Sequence, residues 1–170
     1  VTLILMNFTL LIRKVEKRDE PYLSAIIRAV FEEHNAPKEG TVYSDPTTDY
    51  LHDLFENADS ILWVAEWDHQ IVGCCGVYPT EGLPVKTAEL VKFYISPNAR
   101  GFGIGKQLIE KSIASAKELG YEKLYLESMP QFSKAVDFYN RLGFKSLEKA
   151  MGNSGHTSCS IWMLLPLEAI

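Results

Sequence analysis

The chain has 170 residues, 46% of them apolar, which suits a single domain with a buried core; 17 Lys and Arg against 22 Asp and Glu leave a net charge of −5. That acidic balance argues against a nucleic-acid-binding surface, because backbone phosphates are held mainly by Lys and Arg, and no basic run exceeds the mixed cluster Arg13-Lys14-Val15-Glu16-Lys17-Arg18. The cluster reads as a solvated strand end. Cys74, Cys75 and Cys159 have no metal-ligand spacing, so no metal is expected, and they read as buried free thiols of a reducing cytosol.

In chain order, the apolar opening Val1 to Ile12 has no basic residues ahead of it, is interrupted by Asn7 and is far shorter than a membrane span. It is read as a leader over residues 1–7 and a first strand over Thr9 to Val15, with no membrane partner; a start at Met6 and one at Val1 are both open. Asp19 before Glu20-Pro21 places a cap and an early proline at the head of a helix running to about His34. Pro37, Gly40 and Pro46 make residues 35–48 a long loop, and Tyr50 to Asn57 a short helix. Ile61 to Trp67 and Gln70 to Tyr78 are strands joined at Asp68-His69, a hairpin signal.

Ala88 to Ile95 is the next strand. Ile104, Leu108, Ile109, Ile113 and Ala116 then recur at helical spacing until Gly120. Lys123 to Glu127 is another strand, Ser133 to Leu142 a helix, and Phe144 to Lys149 with Ser158 to Leu165 a closing pair of strands. The order is β, α, α, β, β, β, α, β, α, β, β.

The turn Arg100-Gly101-Phe102-Gly103-Ile104-Gly105-Lys106 offers backbone N–H groups unobstructed by side chains, and the helix that follows aims its dipole at the same spot. Such a turn suits a pyrophosphate. A P-loop would need glycine where Arg100 stands and Ser or Thr where Gln107 stands, so that reading fails twice. A dinucleotide fingerprint beginning at Gly101 would want glycine at Lys106, and Glu122 or Glu127 alone does not rescue it. An anion-holding turn and an ordinary strand-to-helix turn both stay open on spacing alone.

The pattern Arg-x-x-Gly-x-Gly at Arg100, Gly103 and Gly105, preceded by Ile95-Ser96-Pro97, resembles the coenzyme A signature of the GNAT acetyltransferase superfamily. A second stretch, Ala135-Val136-Asp137-Phe138-Tyr139-Asn140-Arg141-Leu142-Gly143-Phe144, resembles that superfamily's later motif, a helix carrying Phe-Tyr and ending in Leu-Gly-Phe. The resemblance covers about residues 8–167 and implies one α/β domain over residues 1–170. Its expected fold is a mixed, mostly antiparallel seven-stranded sheet flanked by about four helices, splayed between its fourth and fifth strands to admit a pantetheine arm.

What the resemblance implies chemically is acetyl transfer from acetyl-CoA, as co-substrate, to a primary amine by direct attack. Tyr139 stands where the leaving-group acid stands, and Glu89 where some members carry a catalytic glutamate; Glu81, Glu127, His34 and His156 are further base candidates. A backbone N–H of Phe93-Tyr94-Ile95 would polarise the carbonyl. Arg100, Gly101, Phe102, Gly103, Ile104, Gly105 and Lys106 would hold the pyrophosphate, with Ser128, Asn140 and Arg141 as further cofactor contacts.

The segments expected to shape the acceptor site are Phe31 to Asp45, Thr80 to Pro84 and Gly152 to Thr157. Their acids suit a cationic amine of a small molecule or peptide. A non-catalytic acyl-CoA sensor and a transferase of longer acyl groups stay open as alternatives. The expected location is the cytoplasm, and a homodimer is one assembly the resemblance leaves available.

Overall fold

Near-continuous apolar runs, buried on both faces of the sheet, make a hairpin of Ile61–Trp67 (β2) and Gln70–Tyr78 (β3), and the two linking residues, Asp68 and His69, both take left-handed backbone angles, φ 51° and 64°, as a tight two-residue connection requires. A computed structural model describes residues 9–168; the leader expected over residues 1–7 lies outside them. Leu10–Lys14 (β1) pairs antiparallel with β2, and Thr87–Ile95 (β4) antiparallel with β3. Lys123–Ser128 (β5), Lys145–Leu147 (β6) and Ile161–Pro166 (β7) complete a seven-stranded sheet of order β1-β2-β3-β4-β5-β7-β6.

Among the described residues only β4 and β5 run parallel, and their ladder is brief: Thr87, Ala88 and Glu89 face Lys123, Leu124 and Tyr125, after which the strands part. The helices are Glu20–Glu33 (α1), Leu51–Leu54 (α2), Ile104–Glu118 (α3) and Ser133–Leu142 (α4). Ile104, Leu108, Ile109 and Ala116 of α3 and Tyr139 of α4 pack with Val77, Leu90, Leu124 and Met163 on one face of the sheet. Leu23, Ile27 and Phe31 of α1 pack with Leu62, Val64 and Cys74 on the other. Leu23 and Ile27 are fully buried, and each such side chain contributes roughly 1.5–3 kcal/mol of hydrophobic stabilisation. Among the described residues, no helix is long and apolar enough to cross a membrane.

The element order matches the sequence reading, with shorter bounds for β1, α2, β6 and β7, the last beginning at Ile161 and not at Ser158. Two local expectations are corrected. Asp19 does not cap α1 through its side chain: it accepts bonds from both terminal nitrogens of Arg13, at 2.7 and 2.9 Å, and from the Glu16 amide, at 2.8 Å. Arg13 is correspondingly no solvated strand end, since it also donates to Glu66 across the β1–β2 pair. Cys74 and Cys75 are buried in β3, and burial pushes the Cys75 thiol up to about 12.

A bulge in β4 decides which side chains reach the cleft. Cys74 faces Tyr94 and Gly76 faces Val91, so Lys92 and Phe93 together stand opposite Cys75. Lys92 takes φ 57°, a left-handed angle costing a non-glycine residue roughly 1–2 kcal/mol. The bulge reverses the alternation: Ala88 and Leu90 share the α3 side with Phe93 and Ile95, while Val91 and Tyr94 lie on the α1 side.

Candidate active site

Where β4 and β5 part, a cleft of about 630 Å³ opens between α1 and α4. Its floor is Glu89 to Ile95 of β4, its walls include Val30, Phe31 and His34 of α1 and Phe138 and Tyr139 of α4, and one end is the glycine turn before α3. Of the residues expected from the sequence to bind cofactor, Phe93, Tyr94, Ile95, Arg100, Gly101, Gly103, Ile104, Gly105, Lys106, Ser128 and Arg141 line it. Phe102 and Asn140 do not: the Phe102 ring packs 4.7 Å from that of Trp67, and Asn140 is exposed on α4.

At the glycine turn, Gly101 and Gly103 take φ 84° and 79°, and a Cβ on either would meet nothing within 4 Å. Glycine is required there by the sign of φ, with open space above it. The first backbone bond at the head of α3 runs from the Gln107 amide to the Gly103 carbonyl, at 3.2 Å. Among the described residues, the amides of Gly101 to Lys106 have no protein acceptor. Successive free N–H groups at the positive end of a helix dipole form a cradle that fits a pyrophosphate.

Arg100 is less available than its position suggested. Its guanidinium grips Glu33 at the end of α1 with two bonds of 2.8 and 2.9 Å and donates a third to the Ile95 carbonyl at 3.1 Å. It thereby ties α1 to the turn. Lys106 is largely exposed, with Glu110 at 3.8 Å.

Midway along the cleft, the Tyr139 ring packs 6.1 Å from Phe93 and 5.8 Å from Phe144. Burial raises its phenol well above the ordinary value, with a smaller contribution from Cys75, so it stays protonated. Among the described residues its hydroxyl has no hydrogen-bond partner.

Beyond Tyr94 the cleft becomes polar. Glu89 is 5% exposed; burial pushes its carboxyl up to about 7, against the pull of a 2.5 Å hydrogen bond from the Thr80 hydroxyl. Glu127 of β5 raises it further while accepting bonds from the Tyr125 hydroxyl, at 2.7 Å, and from Ser154. His156 Nε2 lies 3.0 Å from Asp45, whose carboxyl is pushed up by burial but held down to about 2 by His156 and Thr47. Of the other base candidates, Glu127, His34 and His156 line the cleft and Glu81 does not.

The structure brings the expected acceptor segments together over this end. Residues 35–48 meet the closing loop through Asp45 and His156 and through the Ser158 amide on the Gly40 carbonyl, at 3.1 Å. The Thr80 to Pro84 turn meets the same loop where the Asn153 amide donates to the Glu81 carbonyl at 2.7 Å. Sequence reasoning missed Lys92, which lines the cleft and is 7% exposed. Its signal was a lone charge in the apolar run Leu90-Val91-Lys92-Phe93-Tyr94-Ile95.

The remaining cluster of ligand-type groups among the described residues, Glu20, His52 and Asp53, lies outside the cleft, with the Lys17 ammonium bonded to Glu20 and Asp53.

Comparison with known proteins agrees with this architecture. A family model described as the acetyltransferase (GNAT) family matches residues 27–144. The uncharacterized N-acetyltransferase YjgM of Escherichia coli strain K12 is 31% identical over 156 residues, covering 91% of this chain and 93% of that protein. In fold, the chain is similar to a GNAT acetyltransferase from Staphylococcus aureus Mu50, with a TM-score of 0.82 and 22% identity over 94% of this chain and 100% of that one. It is also similar to the PaiA N-acetyltransferase of Thermoplasma acidophilum, a structure in complex with coenzyme A, with a TM-score of 0.71 and 20% identity over 93% and 99% of the two chains.

Proposed function

The chain belongs to the GNAT acetyltransferase family, and on that premise we propose that it transfers an acetyl group from acetyl-CoA to a primary amine of a small molecule or peptide, by direct attack in a ternary complex. The observation carrying this reading is the continuity of one cleft, from the unpartnered amides of Gly101 to Lys106, along β4 past Tyr139, to the buried carboxyl of Glu89. Acetyl-CoA supplies the thioester; the chain's own groups do the rest.

Glu89 takes the proton from the acceptor ammonium. With a value pushed to about 7, it is ionised in an appreciable fraction at neutral pH and still basic enough to accept. The freed nitrogen forms a bond to the acetyl carbon while a backbone N–H of Phe93-Tyr94-Ile95 steadies the carbonyl oxygen. As the carbon–sulfur bond breaks, Tyr139 gives its proton to the departing sulfur; the nitrogen, cationic once bonded to the acetyl carbon, sheds its second proton to restore the Tyr139 phenol, and Glu89 returns the first proton to solvent. The burial that holds Tyr139 protonated also destabilises a thiolate beside it, so the driving force for that transfer is retained.

The test has two stages. Coenzyme A should raise Tm, and thiol release from acetyl-CoA should then appear with at least one class among polyamines, amino acids, aminoglycosides and short peptides. A thermal shift without turnover of any amine would overturn the transferase reading in favour of an acyl-CoA sensor, and no shift would overturn the cofactor assignment.

A further inference from the structure

The charged side chains at the acceptor end of the cleft are matched with partners, apart from one. Glu89 holds Thr80, Glu127 holds Tyr125 and Ser154, and Asp45 holds His156. Lys92 is about as deeply buried as Glu89, more so than Glu127, Asp45 and His156, and lines the same cleft, yet among the described residues its ammonium has no hydrogen bond and no carboxylate within ion-pair distance. Asp45 and Glu89 act on this ammonium only at a distance, and a largely buried ion that opens on the cleft without a contacting counter-charge is costly.

Its placement is also costly. In an uninterrupted strand, alternation would put residue 92 on the side of Leu90, in the apolar layer beneath α3. The bulge and the left-handed backbone angle at Lys92 set it instead on the side from which Asp45 and Glu89 act on it. Strain of this kind persists where the surroundings hold it and gathers at functional sites. The backbone is also secured there, the Cys74 thiol donating to the Lys92 carbonyl at 3.0 Å.

We propose that Lys92 binds an anionic group of the acceptor, so that the physiological acceptor is an amine carrying its own carboxylate, an amino acid, whose amine faces Glu89 while its carboxylate pairs with Lys92. This rests on the transferase reading and narrows its substrate class. A carboxylate supplies the missing counter-charge and restores the ammonium that burial disfavours. A polyamine would leave Lys92 unpaired and add positive charge beside it. The amino terminus of a peptide fits poorly too, because its α-carboxyl is an uncharged amide.

The test compares free amino acids with their carboxamides, and with spermidine, in thiol release from acetyl-CoA. In the natural protein, kcat/KM for the best amino acid should exceed that for its carboxamide by tenfold or more, mainly through KM. In Lys92→Met the ratio should collapse toward one, and in Lys92→Arg it should be partly kept. Equal use of acid and amide by the natural protein, preference for spermidine, or a ratio unchanged in Lys92→Met would overturn the proposal while leaving an active acetyltransferase. A second readout needs neither turnover nor a variant: in the CoA-saturated natural protein, the amino acid should raise Tm further than its carboxamide. Equal shifts overturn the proposal, whereas absence of any CoA shift or turnover is the separate failure of the transferase reading.

Discussion

The hydroxyl of Thr80 donates a 2.5 Å hydrogen bond to the carboxyl of Glu89, joining the turn after β3 to the last residue of the β4–β5 ladder. Burial drives this acid up to about 7, and the Thr80 bond is the strongest influence pulling it back. Thr80→Val should therefore raise Glu89 and move the acid limb of the pH profile of kcat/KM to higher pH. At pH 7 activity should fall by roughly threefold to tenfold and recover at alkaline pH. A limb that stays in place would mean that another group governs it.

Glu89→Gln should lower kcat by about 10²–10⁴ and abolish the limb altogether. Its effect on stability has the opposite sign. An acid whose folded-state value lies above its ordinary 4.5 costs the fold stability as pH rises from there toward about 7. Thermal melts should thus show the variant gaining on the natural protein at pH 8 relative to pH 5.

Tyr139→Phe keeps the ring contacts with Phe93 and Phe144 and removes only the hydroxyl. The expected result is an unchanged CoA-induced thermal shift with kcat lowered by about 10²-fold or more, measured at saturating acetyl-CoA. Undiminished turnover would remove Tyr139 from the acid's role.

Gly103→Ala adds a methyl group where there is room, so its cost is conformational: about 1–2 kcal/mol for holding φ 79° in a non-glycine residue. A fall of several degrees in Tm should come with weaker CoA binding, because relaxing the angle re-aims the amides at the head of α3. Titration calorimetry with CoA measures the second effect separately. Gly105→Val should fail differently, since even its Cβ would sit 3.1 Å from the Phe93 ring.

Asp45 links the loop over the cleft to the loop before β7. Its carboxyl, held down to about 2 by His156 and Thr47 against the effect of burial, contributes stability that is fully present above the ordinary aspartate value of 3.8. That contribution is lost as pH falls through about 2. Asp45→Asn should lower Tm at pH 6 and flatten the acid branch of the stability curve, as followed by circular dichroism.

Much of the fold was readable because its signals are local. Ile104, Leu108, Ile109 and Ala116 announce α3 by spacing alone, and Gly120, at φ 88°, marks its end. The glycine turn was legible for the same reason. Relationships across the chain were not: Arg100 finds Glu33, and Asp45 finds His156, through tertiary packing that no window of sequence contains. Asp19 looked like a cap because local propensity favours one, but Arg13 is a stronger partner than a helix amide. Lys92 was hidden by alternation itself, since a period of two assigns it the wrong face until the bulge is seen.

The short β4–β5 ladder has a consequence for solubility. An unpaired strand edge ordinarily invites another chain to add itself, and the two outer edges here are blunted, β6 by its length of three residues and β1 by Arg13 and Lys14. Parting β4 from β5 beyond Glu89 creates two more edges inside the molecule, walled by α1 and α4. Those edges face a cleft of about 630 Å³, a volume in the range of small-molecule sites. The hydrogen-bonding groups of these inner edges therefore face the cleft and its helical walls, not the outer margins of the sheet where strands of other chains ordinarily add.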